Sequence, residues 1–171
     1  MTDLMYTIGS QVVHPCYGAG TIVRIQEKSI GDTSNAYYVI NTLCRSMQVM
    51  VPVDRAADVG LRYVGKVAEL RDKLAICCVM PDADEIDSDL RARQADMRER
   101  LKSGNVDEVA NVVRLLFFMN NRRPLGTIDR QLFEQGKEML ASELALADGM
   151  EMTEAMQQLE QLLEQMLAEE E

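Results

Sequence analysis

At Gly65 the hydrophobic periodicity of this chain changes, and the change calls for two kinds of structure in succession. Before it lie short runs rich in β-branched and aromatic residues, at 11–14, 20–26, 36–41 and 47–51, separated by Gly, Ser, Asn, Asp and Pro. Within Thr21-Ile22-Val23-Arg24-Ile25-Gln26, apolar and polar residues partly alternate, as a strand with one buried face requires. A turn at Gly31-Asp32 closes a hairpin onto Tyr37-Tyr38-Val39-Ile40, and Gly18 and Gly20 are assigned to sharp bends between strands. The first 65 residues are therefore expected to form a small antiparallel barrel or curled sheet.

Beyond Gly65, apolar residues recur at steps of three and four, which is the spacing of an amphipathic helix. Helices are predicted over 66–78 and 85–102, the second ending at Ser103-Gly104. Another starts from an Asn105 cap, with Glu108 placed for a capping box, and stops by Pro124. A fourth runs from a Thr127 cap to Ala147, and the last from Thr153 to about Glu169. The expected class is α+β, with a β domain at 1–65 followed by a helical bundle at 66–171.

Charge divides along the same line. Net charge is -10, yet residues 1–66 hold six Lys or Arg against five Asp or Glu, while residues 67–171 hold twelve against twenty-three. Duplex affinity depends on cations that displace counterions from phosphate, so the acidic second half argues against strong indiscriminate DNA binding. Any DNA contact must come from a local patch. No stretch approaches the ~20 apolar residues of a membrane span, and Met1-Thr2-Asp3-Leu4 lacks the basic start of a signal peptide, so a cytoplasmic protein is expected.

The four cysteines, Cys16, Cys44, Cys77 and Cys78, have no C-x-x-C spacing, and His14 is the single histidine. Reduced, mostly buried thiols and no metal site are the expectation. Neither a Ser-His-Asp arrangement nor a phosphate loop is visible, and Gly18-Ala19-Gly20 lacks the spacing of one. No catalytic residue or cofactor is assigned, and the chain is not expected to be an enzyme.

The residues with binding chemistry lie elsewhere. Arg91, Arg98 and Lys102 share a helical face, with Arg93 and Arg100 flanking the apolar stripe. They suit phosphates, although Asp87, Asp89, Asp96 and Glu99 are placed to pair with them on a solvated helix. Phe117-Phe118-Met119 wraps more than one helical face, so it is either deeply buried or a partner-facing patch.

Several segments resemble the CarD-type regulators. They are Gly9-Ser10-Gln11-Val12-Val13-His14-Pro15-Cys16-Tyr17-Gly18-Ala19-Gly20, Tyr38-Val39-Ile40, and Val51 through Gly60-Leu61-Arg62. Leu101 to Asn105, Glu108 to Leu116 and Leu140 to Ala147 are similar to the family's helical domain. The opening module is shared with the transcription-repair coupling factor. This resemblance implies a Tudor-like β domain that docks on the RNA polymerase β subunit. It also implies a helical domain that touches upstream promoter DNA and alters open-complex stability without catalysis.

On that footing the polymerase-binding candidates are Arg24, Lys28, Arg45, Gln48 and Met50, from the arm 24–30 and the strand 45–51. A sheet edge there could accept a partner strand. Relatives carry basic residues where Lys28 and Met50 stand, so Met50 departs from the pattern. The DNA candidates are Leu90, Arg91, Arg98, Lys102, Arg122 and Arg123. Leu90 occupies the place of a family tryptophan that wedges against opened duplex, and this chain has no Trp. Sharing a face with Ile86, Met97 and Leu101, it is expected to pack in the core instead. Arg122 and Arg123 are displaced beyond Asn120-Asn121 from where relatives have paired basic residues. The reading is a monomer with a weak DNA contact tethered by polymerase. The alternative is an adaptor that docks on polymerase while its acidic helical half binds another protein. The salt dependence of duplex affinity would separate the two.

Overall fold

A computed structural model describes residues 4–168; Met1 to Asp3, and the expected helix end at Glu169, lie outside them. Five strands form one antiparallel sheet: β1 (Gln11–His14), β2 (Gly18–Ile30), β3 (Thr33–Thr42), β4 (Gln48–Pro52) and β5 (Arg62–Tyr63). Their order across the sheet is β4-β3-β2-β1-β5, which leaves β4 and β5 at the edges. A short helix, α1 (Ala56–Val59), lies between β4 and β5. Five helices follow: α2 (Val67–Leu74), α3 (Leu90–Lys102), α4 (Val106–Arg122), α5 (Thr127–Asp148) and α6 (Met152–Ala168). The α+β class holds; β2 and β3 are longer than the runs of β-formers suggested, while β1 and β4 match theirs in length.

The partial alternation at 21–26 has a mechanical cause. The register of β2 against β3 shifts between Ile22 and Arg24, so a β-bulge lets Ile22 face inward and Arg24 outward although only two positions separate them. Ile22, Tyr38, Ile40 and Val51 then close one core under the sheet with Tyr6, Val12 and Leu61. Gly20 is not at a bend, as expected, but inside β2 opposite Val12 and Thr42. A Cβ there would sit 2.3 Å from the Asn41 carbonyl oxygen, so close backbone approach is what requires glycine.

A second core belongs to the helices. Residues 112–116 of α4 are all buried, the signature of a helix surrounded by neighbours, and it packs against α2, α3 and α5. Arg114 within that run is held by the Val79 carbonyl (2.7 Å), Asn111 (2.7 Å) and both oxygens of Glu85 (3.0 and 3.1 Å). These bonds keep the Glu85 carboxyl below its usual range. Arg114 thereby ties the segment before α3 to the middle of the bundle.

That segment corrects one predicted helix. The stretch expected as 85–102 is a 3-10 turn at Ala83–Glu85, then an extended link, then α3 starting at Leu90. Asp89 caps α3 by accepting from the Arg91 and Ala92 amides, so the helix cannot extend back through it. The helix expected at 66–78 ends at Leu74 and tightens to a 3-10 turn over Ala75–Cys78. Asn105 caps α4 as expected, but the Glu108 side chain turns to Arg100 (2.6 Å). Gly126, not Thr127, is the cap residue of α5, with no side-chain bond. Only Cys77 of the four thiols is buried; Cys16 is exposed, while Cys44 and Cys78 are half-buried, which corrects the expectation of mostly buried thiols. Burial pushes the Cys77 thiol up to about 12, so it packs as an inert hydrophobe.

Candidate functional site

Sheet and bundle meet at a polar seam, none of whose residues was assigned a binding role from the sequence. Glu143, 3% exposed at its side chain, accepts two bonds from the Arg62 guanidinium of β5 (2.7 and 2.8 Å) and one from the Gly65 amide (2.8 Å). Arg62 also reaches the Gly104 carbonyl beyond α3 (3.0 Å). Next to it, the fully buried Ser142 hydroxyl accepts from the Ala19 amide (3.0 Å) and donates to the Met139 carbonyl (2.9 Å). Pro15 lies where a Cβ on Gly104 would come within 3.3 Å, and Gly104 has φ +66°. A legible signal existed in the two polar residues, Ser142 and Glu143, that interrupt an apolar helix run. Their partners, more than seventy residues upstream, were not legible. The seam joins β5 and the start of β2 to α5.

On the sheet side, strand alternation gathers most of the proposed polymerase contacts. Arg24 of β2 stands opposite Val39, which stands opposite Met50 of β4, so the exposed Arg24 and half-buried Met50 flank Val39, itself fully buried, on the sheet face opposite Tyr38 and Ile40. Arg24 donates to the Gln48 amide oxygen (3.3 Å) across the same face. Lys28 follows Arg24 at even spacing, on the part of the β2–β3 hairpin that projects past β4. The β4 backbone pairs on one side alone, with β3, and its other side is an open edge. Arg45 does not join this group. It sits in the β3–β4 loop with its guanidinium 3.8 Å from Glu138 of α5.

In the helical half the structure splits the proposed DNA contacts in two. Arg91, Arg98 and Lys102 lie on the exposed side of α3, about 100° around the helix from the buried Met97 and Leu101. The surrounding carboxylates are mostly engaged elsewhere. Asp89 caps the helix, Asp87 accepts from the Asp89 amide, and Asp96 lies 3.7 Å from Arg100. Glu99 approaches Lys102 at 4.0 Å with both side chains well exposed. Among the described residues, Arg91 and Arg98 have no carboxylate partner. The flanking arginines do: Arg93 binds Asp129 (3.0 Å) and Arg100 binds Glu108.

Leu90, Arg122 and Arg123 stand apart from that face. They line a cleft of about 850 Å³ between the start of α3, the end of α4 and the start of α5. Leu90 is 53% exposed, which corrects the expectation of core packing. Phe118 and Met119 are half-buried in the same cleft, neither deeply buried nor fully presented, and the Arg122 guanidinium covers the Phe118 ring at 4.8 Å. Among the described residues no helix is long and apolar enough to cross a membrane.

Comparison with known proteins follows the two halves. Residues 6–65 match the family described as the CarD-like/TRCF RID domain, and residues 79–160 match the CarD C-terminal domain. A Bacillus subtilis (strain 168) relative, described as "Putative transcription factor YdeB", is 30% identical over 149 residues. The aligned part spans 85% of this chain and 94% of the relative.

Proposed function

The chain belongs to the CarD-like family, transcription proteins that interact with RNA polymerase, and from that premise we propose that it docks on the polymerase β subunit and steadies the open promoter complex through an upstream DNA contact. The open β4 edge offers backbone donors and acceptors to a partner strand. Arg24, Gln48 and Met50 supply an adjoining face, and Lys28 a charge at its rim. The observation that carries the DNA contact is the pair Arg91 and Arg98, without carboxylate partners among the described residues, on an exposed helix face inside an acidic half.

Three cations, counting Lys102, neutralise only a few phosphates, each changing the log-log salt slope by about 0.9. That is too little for useful binding from free solution against the net negative charge. Docking on polymerase changes the comparison, because tethering raises the effective DNA concentration to roughly millimolar. The seam through Arg62 and Glu143 would help keep the α3 face aimed while the sheet is docked.

Open-complex lifetime with purified bacterial polymerase tests this. The triple variant Arg91→Glu, Arg98→Glu, Lys102→Glu should lose the protein's effect on lifetime while still binding the β subunit. Lys28→Glu should instead slow association with polymerase, as a rim charge does. A triple variant that matches the wild type in lifetime would refute the DNA contact.

A further inference from the structure

We infer that Asp129 is a positioning residue for the α3 face, a role that rests on the DNA contact proposed above. Its carboxylate holds the first two turns of α3 in one rotation and so fixes where Arg91 points.

α3 is anchored unevenly. Its fully buried side chains are Met97 and Leu101, both in the second half, where they hold the backbone that carries Arg98 and Lys102. Among residues 90–96 no side chain is fully buried: Leu90, Arg91, Ala92, Ala95 and Asp96 are exposed, and Arg93 and Gln94 alone are half-buried. Hydrophobic packing therefore fixes the end of this helix and not its beginning. Ahead of it, Ile86 packs on the helical core and Arg114 holds Glu85, but residues 87–89 belong to no helix.

Both half-buried side chains end on one carboxylate. Arg93 donates to Oδ2 of Asp129 (3.0 Å) and Gln94 to Oδ1 (3.1 Å), while the Arg93 guanidinium also reaches the Asp87 carbonyl (3.4 Å). Consecutive residues stand about 100° apart on a helix, so two of them meet the two oxygens of one carboxylate in only one rotation about the axis. Arg91 then falls about 60° beyond Gln94, on the exposed side. Asp129 is itself fixed, buried in the first turn of α5, where the helix dipole favours its charge.

Stability alone does not explain this pair. The Arg93 and Asp129 side chains are 12% and 8% exposed, and the Arg93 Nε is buried with no hydrogen-bond partner. A buried ion pair with an unsatisfied donor is often no more stable than an apolar pair of similar volume. Its directional bonds specify one geometry, which apolar contact does not.

Two measurements on the full chain test the assignment. Amide hydrogen exchange of the free protein should speed up at least about tenfold over 93–96 in Asp129→Ala, and less than about twofold over 98–102 and in α4. Asp129→Asn, which keeps the shape and loses the charge, should show the same pattern more weakly and serves if the alanine variant does not fold. In the open-complex assay, Arg91→Ala should reduce the effect on lifetime about two- to fivefold in the wild-type chain and no further in the Asp129→Ala chain. Lys102→Ala should subtract equally in both, whereas a merely structural role for Asp129 would couple to Lys102 as it does to Arg91. Unchanged exchange over 93–96, faster exchange spread over the whole bundle, or an Arg91→Ala effect of one size in both backgrounds overturns the proposal. Exchange is read without polymerase or DNA, so its failure leaves the DNA contact standing, while a wild-type lifetime in the triple variant refutes that contact and not the hold on α3.

Discussion

Replacing Glu143 by alanine should cost more stability than any surface substitution in the chain. The carboxylate accepts three bonds: from both terminal nitrogens of Arg62 (2.8 and 2.7 Å) and from the Gly65 amide (2.8 Å). Removing one partner of a fully buried ion pair costs about 3–5 kcal/mol, chiefly because the other is left unpaired. Arg62 is not fully buried. Its side chain is 35% exposed and retains the Gly104 and Tyr63 carbonyls, so water can repair part of the loss. The lower end, about 3 kcal/mol, is expected. At about 2–4 °C per kcal/mol for a chain of this size, Tm falls by roughly 6–12 °C. Glu143→Gln keeps the shape and one acceptor, so it should lose only about 1–2 kcal/mol. The double variant Arg62→Met, Glu143→Met should recover most of the loss, since no charge is then left orphaned. Urea titration followed by circular dichroism gives all three values. A loss below about 1 kcal/mol for Glu143→Ala would mean that water already screens the seam. A double variant no better than the single one would place the cost in packing and refute the electrostatic account.

Two further outcomes follow from close packing and burial. Gly20→Ala would set a Cβ 2.3 Å from the Asn41 carbonyl oxygen, so β2 and β3 must part. A loss of about 2 kcal/mol or more is expected in the same titration, and a neutral result would show that the sheet yields there without cost. His14 accepts the Cys16 amide at Nδ1 (3.0 Å), and burial lowers its pKa. As pH falls below about 6.5 the unfolded chain takes the proton first, so His14's contribution is present above that value and is lost on descent through the folded pKa. NMR titration of the single histidine should show a folded midpoint below 6.5, and His14→Gln should flatten the stability slope between pH 5 and 7.

What the sequence by itself determined is whatever physics acts within a few residues. Period-two runs before Gly65 and steps of three and four after it specify strands and then helices, because side chains project at those spacings regardless of context. Asn105 is readable as a cap because its partners, the Asp107 and Glu108 amides, are two and three residues away. Charge is equally local, and the resemblance to the CarD family rests on contiguous words. Where several local solutions compete, the sequence does not choose. Asp82 and Asp89 are both good caps, and the helix begins after the second while Arg114 holds Glu85 from 29 residues away. The two-residue β5 has too few positions for any period to show, and the bulge beside Val23 inverts the parity that alternation depends on. Only the tertiary structure joined Arg62 to Glu143, 81 residues apart, and left Leu90 in a cleft instead of the core. Those outcomes depend on which distant backbone arrives beside a side chain, and burial energy is set by that neighbour and not by the residue alone.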